Sequence, residues 1–125
     1  MPLLAIAGLL FRKMEEFIMK KMTEQLWVLQ EADQYIIGMT PCLQDEAGDI
    51  SYVNIANIGE IEADDTLLNL EASKAAIEVP SPLSGKIVKI NEAAIDNPAL
   101  LNSEDANENW IAVLTDVDAS EFDAL

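Results

Sequence analysis

At 125 residues, half of them hydrophobic and few aromatic, the chain suits one packed domain with a modest core and no large buried active site. Its formal net charge is −16, and beyond Thr23 only Lys74, Lys86 and Lys89 stand against every acid except Glu15 and Glu16. This balance excludes nucleic acid and membrane surfaces as partners, because no cluster of cations is present to release phosphate counterions.

Met1–Phe11 is an apolar run that meets Arg12-Lys13. It is too short to span a bilayer, and its charges follow the apolar stretch instead of preceding it as in a secretory signal. Residues 1–22 are therefore expected to be a leader, a mis-called start or a disordered lead-in, because Met14, Met19 and Met22 offer later starts. An amphipathic anchor is the other reading of that run.

The folded domain is expected over residues 23–125, as short strands joined by turns. Leu26–Gln30 and Tyr35–Met39 flank Glu31-Ala32-Asp33-Gln34 and read as a hairpin. Pro41–Glu46 suits one helical turn, and Ile50–Ile55 the next strand. Asn57–Asp65 is acidic and turn-rich. Thr66–Leu70 and Ala76–Val79 form a second hairpin with Lys74 at its tip, and Gly85–Ile90 is a further strand. Asn97-Pro98 places an N-cap before a proline at the first helical position, so Pro98–Leu101 is predicted to be a short helix. Asn109–Leu114 returns as a strand. Asp118 and Glu121 have capping-box spacing, which starts a C-terminal helix through Phe122 to Leu125. Gly48-Asp-Ile50-Ser-Tyr-Val53-Asn54 and Gly85-Lys-Ile87-Val-Lys-Ile90-Asn91 share a weak repeat, suggesting two sheet halves with the Lys74 hairpin between them.

Resident catalysis has little to work with. There is no His and one Cys, Cys42, which removes Ser-His and Cys-His machinery, His-ligated metal sites and an internal disulfide. Cys42 after Pro41 reads as a buried or half-buried small hydrophobe, in keeping with a reducing, cytoplasmic setting. Asp45-Glu46 and Asp64-Asp65 fall in expected turns and read as solvated acids. Trp27, Tyr52 and Trp110 read as core or half-core residues.

Lys74 has small neighbours, Ala72, Ser73, Ala75 and Ala76, and a negative surround from Glu71 and Glu78. The segment LEASKAAIEVPSPLSGKIV, Leu70 to Val88, resembles the attachment hairpin of lipoyl carriers, most closely that of the glycine cleavage system H protein. The likeness continues through Ser81-Pro82-Leu83-Ser84-Gly85, Asn91-Glu92, Pro98-Ala99-Leu100-Leu101-Asn102 and Trp110, with Trp27 and Gly48-Asp49 also matching. That continuation separates the chain from the lipoyl domains of 2-oxoacid dehydrogenases. Ser73 and Ala75 stand where a biotin carrier has Met.

The resemblance implies a mainly β, lipoyl-domain-like barrel-sandwich hybrid with short helices and a C-terminal helix. It implies lipoate in amide linkage to Lys74, attached by a lipoate ligase or lipoyl transferase, in a carrier with no active site of its own. Its work would be to shuttle the aminomethyl group of glycine between glycine decarboxylase and aminomethyltransferase, with dihydrolipoyl dehydrogenase reoxidising the dithiol. Glu71 and Glu78 would be docking acids. Two departures stand out: Gln25-Leu26 replace the His usual before the first Trp, and Ile77-Glu78-Val79-Pro80 replaces more polar and aromatic choices. These features are similar to H-like variants, and they leave open a lipoylated target served by a sirtuin-type ADP-ribosyltransferase and a macrodomain protein. An unmodified acidic adaptor is the third reading.

The late-start expectation is checked on the native protein. Its N-terminal peptide should begin at Met14, Met19 or Met22, and a peptide beginning at Met1 contradicts it.

Overall fold

The computed structural model describes residues 18–125. The reading of Met1–Phe11 lies outside those residues. Among the described residues nine strands form two antiparallel sheets: β1 (Ile18–Met22), β2 (Leu26–Glu31), β3 (Gln34–Met39), β9 (Trp110–Thr115), β8 (Gly85–Ile90) and β5 (Gly59–Ile61) in one, in that order, and β4 (Ile50–Ile55), β6 (Thr66–Ala72) and β7 (Ala76–Pro80) in the other. The expected mainly β architecture is present. β4 and β8, the strands of the weak repeat, fall in different sheets.

Alternation decides which face each strand buries. Tyr35, Ile37 and Met39 of β3 and Leu26 and Val28 of β2 point into the core, where they meet Ile50, Val53 and Ile55 of β4 and Leu68 and Leu70 of β6. Each fully buried aliphatic side chain contributes about 1.5–3 kcal/mol. The β2–β3 hairpin closes on Ala32-Asp33, with φ 56° at Ala32, the sign that suits the twist of a tight hairpin. On the opposite face of the large sheet, Trp27 lies directly across from Gly38, where any Cβ would overlap its indole ring.

Helices are short and capped by polar side chains. α1 (Pro41–Ala47) opens on Thr40, whose hydroxyl accepts from Leu43 N at 3.2 Å and donates to Glu24 O at 2.8 Å. α2 (Glu92–Asp96) is capped by Asn91 and went unpredicted. Pro98–Asn102 is a 3-10 helix, and Asn97 makes no side-chain cap, contrary to expectation. α3 (Ala106–Asn109) takes Asn109 out of the expected strand. α4 (Ala119–Asp123) begins on Asp118, which accepts from Ser120 N; Glu121 turns instead to Ser84 N at 3.3 Å. The bonds that Asp118 accepts from Ser120 N and Ser120 Oγ hold its carboxyl below the usual aspartate value.

Three further expectations are corrected. Residues 18–22 are not outside the folded sheet: Ile18–Met22 pairs in register with β2, from Ile18 opposite Glu31 to Met22 opposite Trp27. Lys20 and Lys21, which fall inside the expected leader span, lie over the Trp27 and Phe122 rings at 5.6 and 5.5 Å and serve as strand-to-ring contacts. Cys42 is exposed, because it stands on the solvent side of α1's first turn while Leu43 faces inward. Tyr52 is 50 % exposed, because a register shift between Ile50 and Tyr52 carries it to the outer face of β4.

Two outcomes follow from the buried polar groups. Trp27 Nε1 donates to Asn109 Oδ1 at 3.1 Å in a buried setting. Asn109→Ala leaves that donor unpaired and should lower unfolding free energy by about 1–3 kcal/mol in a urea titration. Tyr35 is 3 % exposed and packs edge-on against Phe122. Burial first, and then Asp123 and Asp118, raise its pKa above the ordinary 10.0. A folded-state pKa above the unfolded one gives stability that is intact below pH 10 and is lost as pH rises through the raised value. Tyr35→Phe should flatten that alkaline decline in stability.

Candidate functional site: the Lys74 hairpin tip

The β6–β7 ladder ends at Glu71 opposite Ala76, and Ala72 N donates to Ala75 O at 3.0 Å to close the turn. Lys74 is exposed on that turn, as expected. The tip is not free-standing, however. Ser73 N donates to Asp49 O at 2.8 Å, Ser73 Oγ accepts from Asp49 N at 2.9 Å, and Lys74 N donates to Ala47 O at 2.9 Å. The turn between α1 and β4 therefore carries the hairpin. Lys74 Nζ completes the contact by donating to Asp45 O at 3.0 Å, at the helix end where carbonyls lack helical partners and cations are favoured. The side chain of the tip lysine therefore rests on the helix end and does not simply project into water.

A second layer holds the platform. Asn102 donates to Gly48 O at 2.8 Å and accepts from Ile50 N at 2.9 Å. Gln44 Nε2 donates to Leu101 O at 2.7 Å and Ser103 O at 2.8 Å, and Asn109 Nδ2 also reaches Ser103 O. The 3-10 helix thus braces α1 and the Gly48 turn from below. Sequence reading placed Asn102 in a matching motif but assigned it no role; the Pro-x-Leu-x-Asn spacing was the available signal.

Glu71 and Glu78 are both exposed, and both border a shallow hollow with Tyr52, Asn69 and Ala76. They are not equivalent. Glu71 adjoins the tip, opposite Ala76 and Tyr52, whereas Glu78 lies farther down the ladder, opposite Asn69, and accepts a bond from Thr66 Oγ1. Among the described residues no acid or Cys cluster suits a metal ion. No helix among them is long and apolar enough to cross a membrane.

The chemistry available is that of one exposed primary amine on a braced turn. Ala75 and Ala76 leave steric room around it, and no side chain beside it supplies an imidazole base. A charged amine is a poor nucleophile near neutral pH. Such a site fits covalent acylation by an external enzyme bringing an activated donor.

A family profile described as glycine cleavage H-protein matches residues 18–125. Over 107 residues the chain is 45 % identical to a glycine cleavage system H-like protein of Staphylococcus aureus, covering 86 % of this chain and 97 % of that one. It is 40 % identical over 109 residues to a glycine cleavage system H protein of Coprothermobacter proteolyticus, covering 86 % of each. A solved glycine cleavage system H protein from Mycobacterium marinum superimposes with a TM-score of 0.69 at 22 % identity, over 77 % of this chain and 81 % of that one, which shows the shared fold. Proteins of the matching family are lipoyl carriers working with glycine decarboxylase, aminomethyltransferase and dihydrolipoyl dehydrogenase. The chain belongs to the glycine cleavage H-protein family, whose members carry lipoate covalently on a lysine.

Proposed function

We propose that Lys74 is the lipoyl-attachment residue and that the chain is the aminomethyl carrier of a glycine cleavage system, without an active site of its own. The observation that supports this most is positional. Lys20, Lys21, Lys86 and Lys89 lie within strands, and Lys89 is drawn over the Trp110 ring at 5.5 Å, whereas Lys74 stands on an exposed turn. A lipoate ligase or lipoyl transferase reaches such an amine without unfolding a ladder. When bound, lipoate supplies a dithiolane for the transfer between decarboxylase and aminomethyltransferase. The chain's part is presentation: tethering the group keeps it at high effective concentration for each partner in turn.

Glu71 is the stronger docking acid, since it adjoins the tip and accepts no side-chain bond from Thr66 as Glu78 does. Glu78 is the second. Both suit partners with a basic rim around their entrances, and charge of this kind acts mainly on encounter rate. A cytoplasmic location accords with these partners.

The strong likeness to the Staphylococcus aureus H-like protein favours a second reading. There the same lipoyl-Lys74 is a modification target for a sirtuin-type ADP-ribosyltransferase with a macrodomain protein, in a redox response. The two readings share the tether and differ in its clients.

Lys74→Arg should leave the urea midpoint within error of wild type, because an exposed tip side chain buries little, and should abolish lipoylation by ligase. Retained lipoylation in that variant contradicts the assignment. Lipoylated wild type mixed with glycine decarboxylase should support exchange of labelled bicarbonate into glycine. Lipoylation without exchange removes the glycine-cleavage reading and leaves the second.

A further inference from the structure

Lys74 is laid along a bare stretch of backbone. A Cβ at Gly48 would come within 3.0 Å of Lys74 Cγ and 3.3 Å of its Cδ, and would overlap Ser73 Oγ. Gly48 has φ 77° and ψ −151°, a region open essentially to glycine alone. The stem therefore crosses Gly48, and Nζ ends on the carbonyl of Asp45. The helical donor to that carbonyl would be the N–H of Asp49, four residues on, but this N–H goes to Ser73 Oγ. Ser73 thus leaves Asp45 O open to the lysine.

We propose that this crossing is a seat for the amide link of the acylated lysine, with Gly48 as its floor and Asp45 O as acceptor of the lipoamide N–H; it rests on the reading of Lys74 as the attachment site. Acylation by an activated lipoyl donor joins Nζ to the acyl carbon and expels the donor's leaving group with its electron pair. Of the three protons on the Nζ ammonium, one passes to solvent before attack, freeing the lone pair that forms the new bond, and a second passes to solvent as the leaving group departs, so the amide keeps one. The attraction of a full charge to the helix end is lost, yet the one N–H that remains satisfies the same carbonyl. The root of the arm then leaves the domain in a set direction, which narrows the volume the distal ring sweeps and concentrates it on one side. Both elements of the seat come from the chain's backbone, so neither competes with a partner's recognition of exposed side chains.

Nuclear magnetic resonance on fully lipoylated protein with 15N-lysine tests this. An Overhauser contact should join the Lys74 amide proton to Gly48 Hα, and solvent exchange of that proton should be slowed about fivefold against free lipoyl-lysine, the weight of roughly one net hydrogen bond. Gly48→Ala should remove both signatures, and Ser73→Ala, which leaves residue 48 unchanged, should weaken both. If Gly48→Ala does not fold, wild type and Ser73→Ala decide. A lipoylated wild type with no such contact and with free-amide exchange overturns the seat and leaves attachment standing. Absence of any lipoyl mass on Lys74 overturns the attachment reading and the seat with it.

Discussion

The docking of the β6–β7 tip on the C-terminal end of α1 is the interaction on which the site depends. A hairpin in isolation is marginal and its turn is the loosest part. Here four hydrogen bonds between Ser73 and Lys74 on one side and Asp45, Ala47 and Asp49 on the other fasten the turn to a neighbouring element. The close approach is possible because residue 48 has no side chain. A carrier needs a reachable amine whose base does not wander, and this contact supplies the fixed base while solvent supplies the reach.

That platform is itself braced by polar groups in the interior. Gln44, Asn102 and Asn109 gather the ends of α1, the 3-10 helix and α3, and Asn109 extends the network to the indole of Trp27 on β2. Among the described residues no buried side-chain polar atom lacks a partner. A network satisfied in this way specifies one arrangement of short elements that have little intrinsic helical stability. Rigidity at Lys74 is thus inherited from residues in chain segments remote from it, joined through side-chain amides.

Much of this was legible in the sequence, for identifiable reasons. Ile50–Ile55 and Gly85–Ile90 matched their strands because apolar residues recur along them and Gly48-Asp49 and Ser84-Gly85 marked their starts. Lys74 was legible because a lysine-poor chain placed one lysine between two strand patterns. The α1 platform was hidden because its bonds, two of them backbone to backbone, join segments more than 20 residues apart and leave no local pattern. α2 and α3 were missed because each is a turn or so long and rests on an Asx cap. β1 was missed because Ile18–Met22 carries two lysines and follows a run that looked like a leader; pairing with β2 outweighed composition. Tyr52 moved outward through a β-bulge, which shifts the two-residue period without a sequence signature.

Membership in the H-protein family gives the lipoyl-carrier role, and Lys74 is the attachment residue proposed for it. The most direct measurement is peptide mapping by mass spectrometry of the protein isolated from its host under lipoate-replete conditions. The account predicts a lipoyl increment confined to the peptide containing Lys74. An unmodified Lys74, or an increment on Lys86 or Lys89 instead, would contradict it.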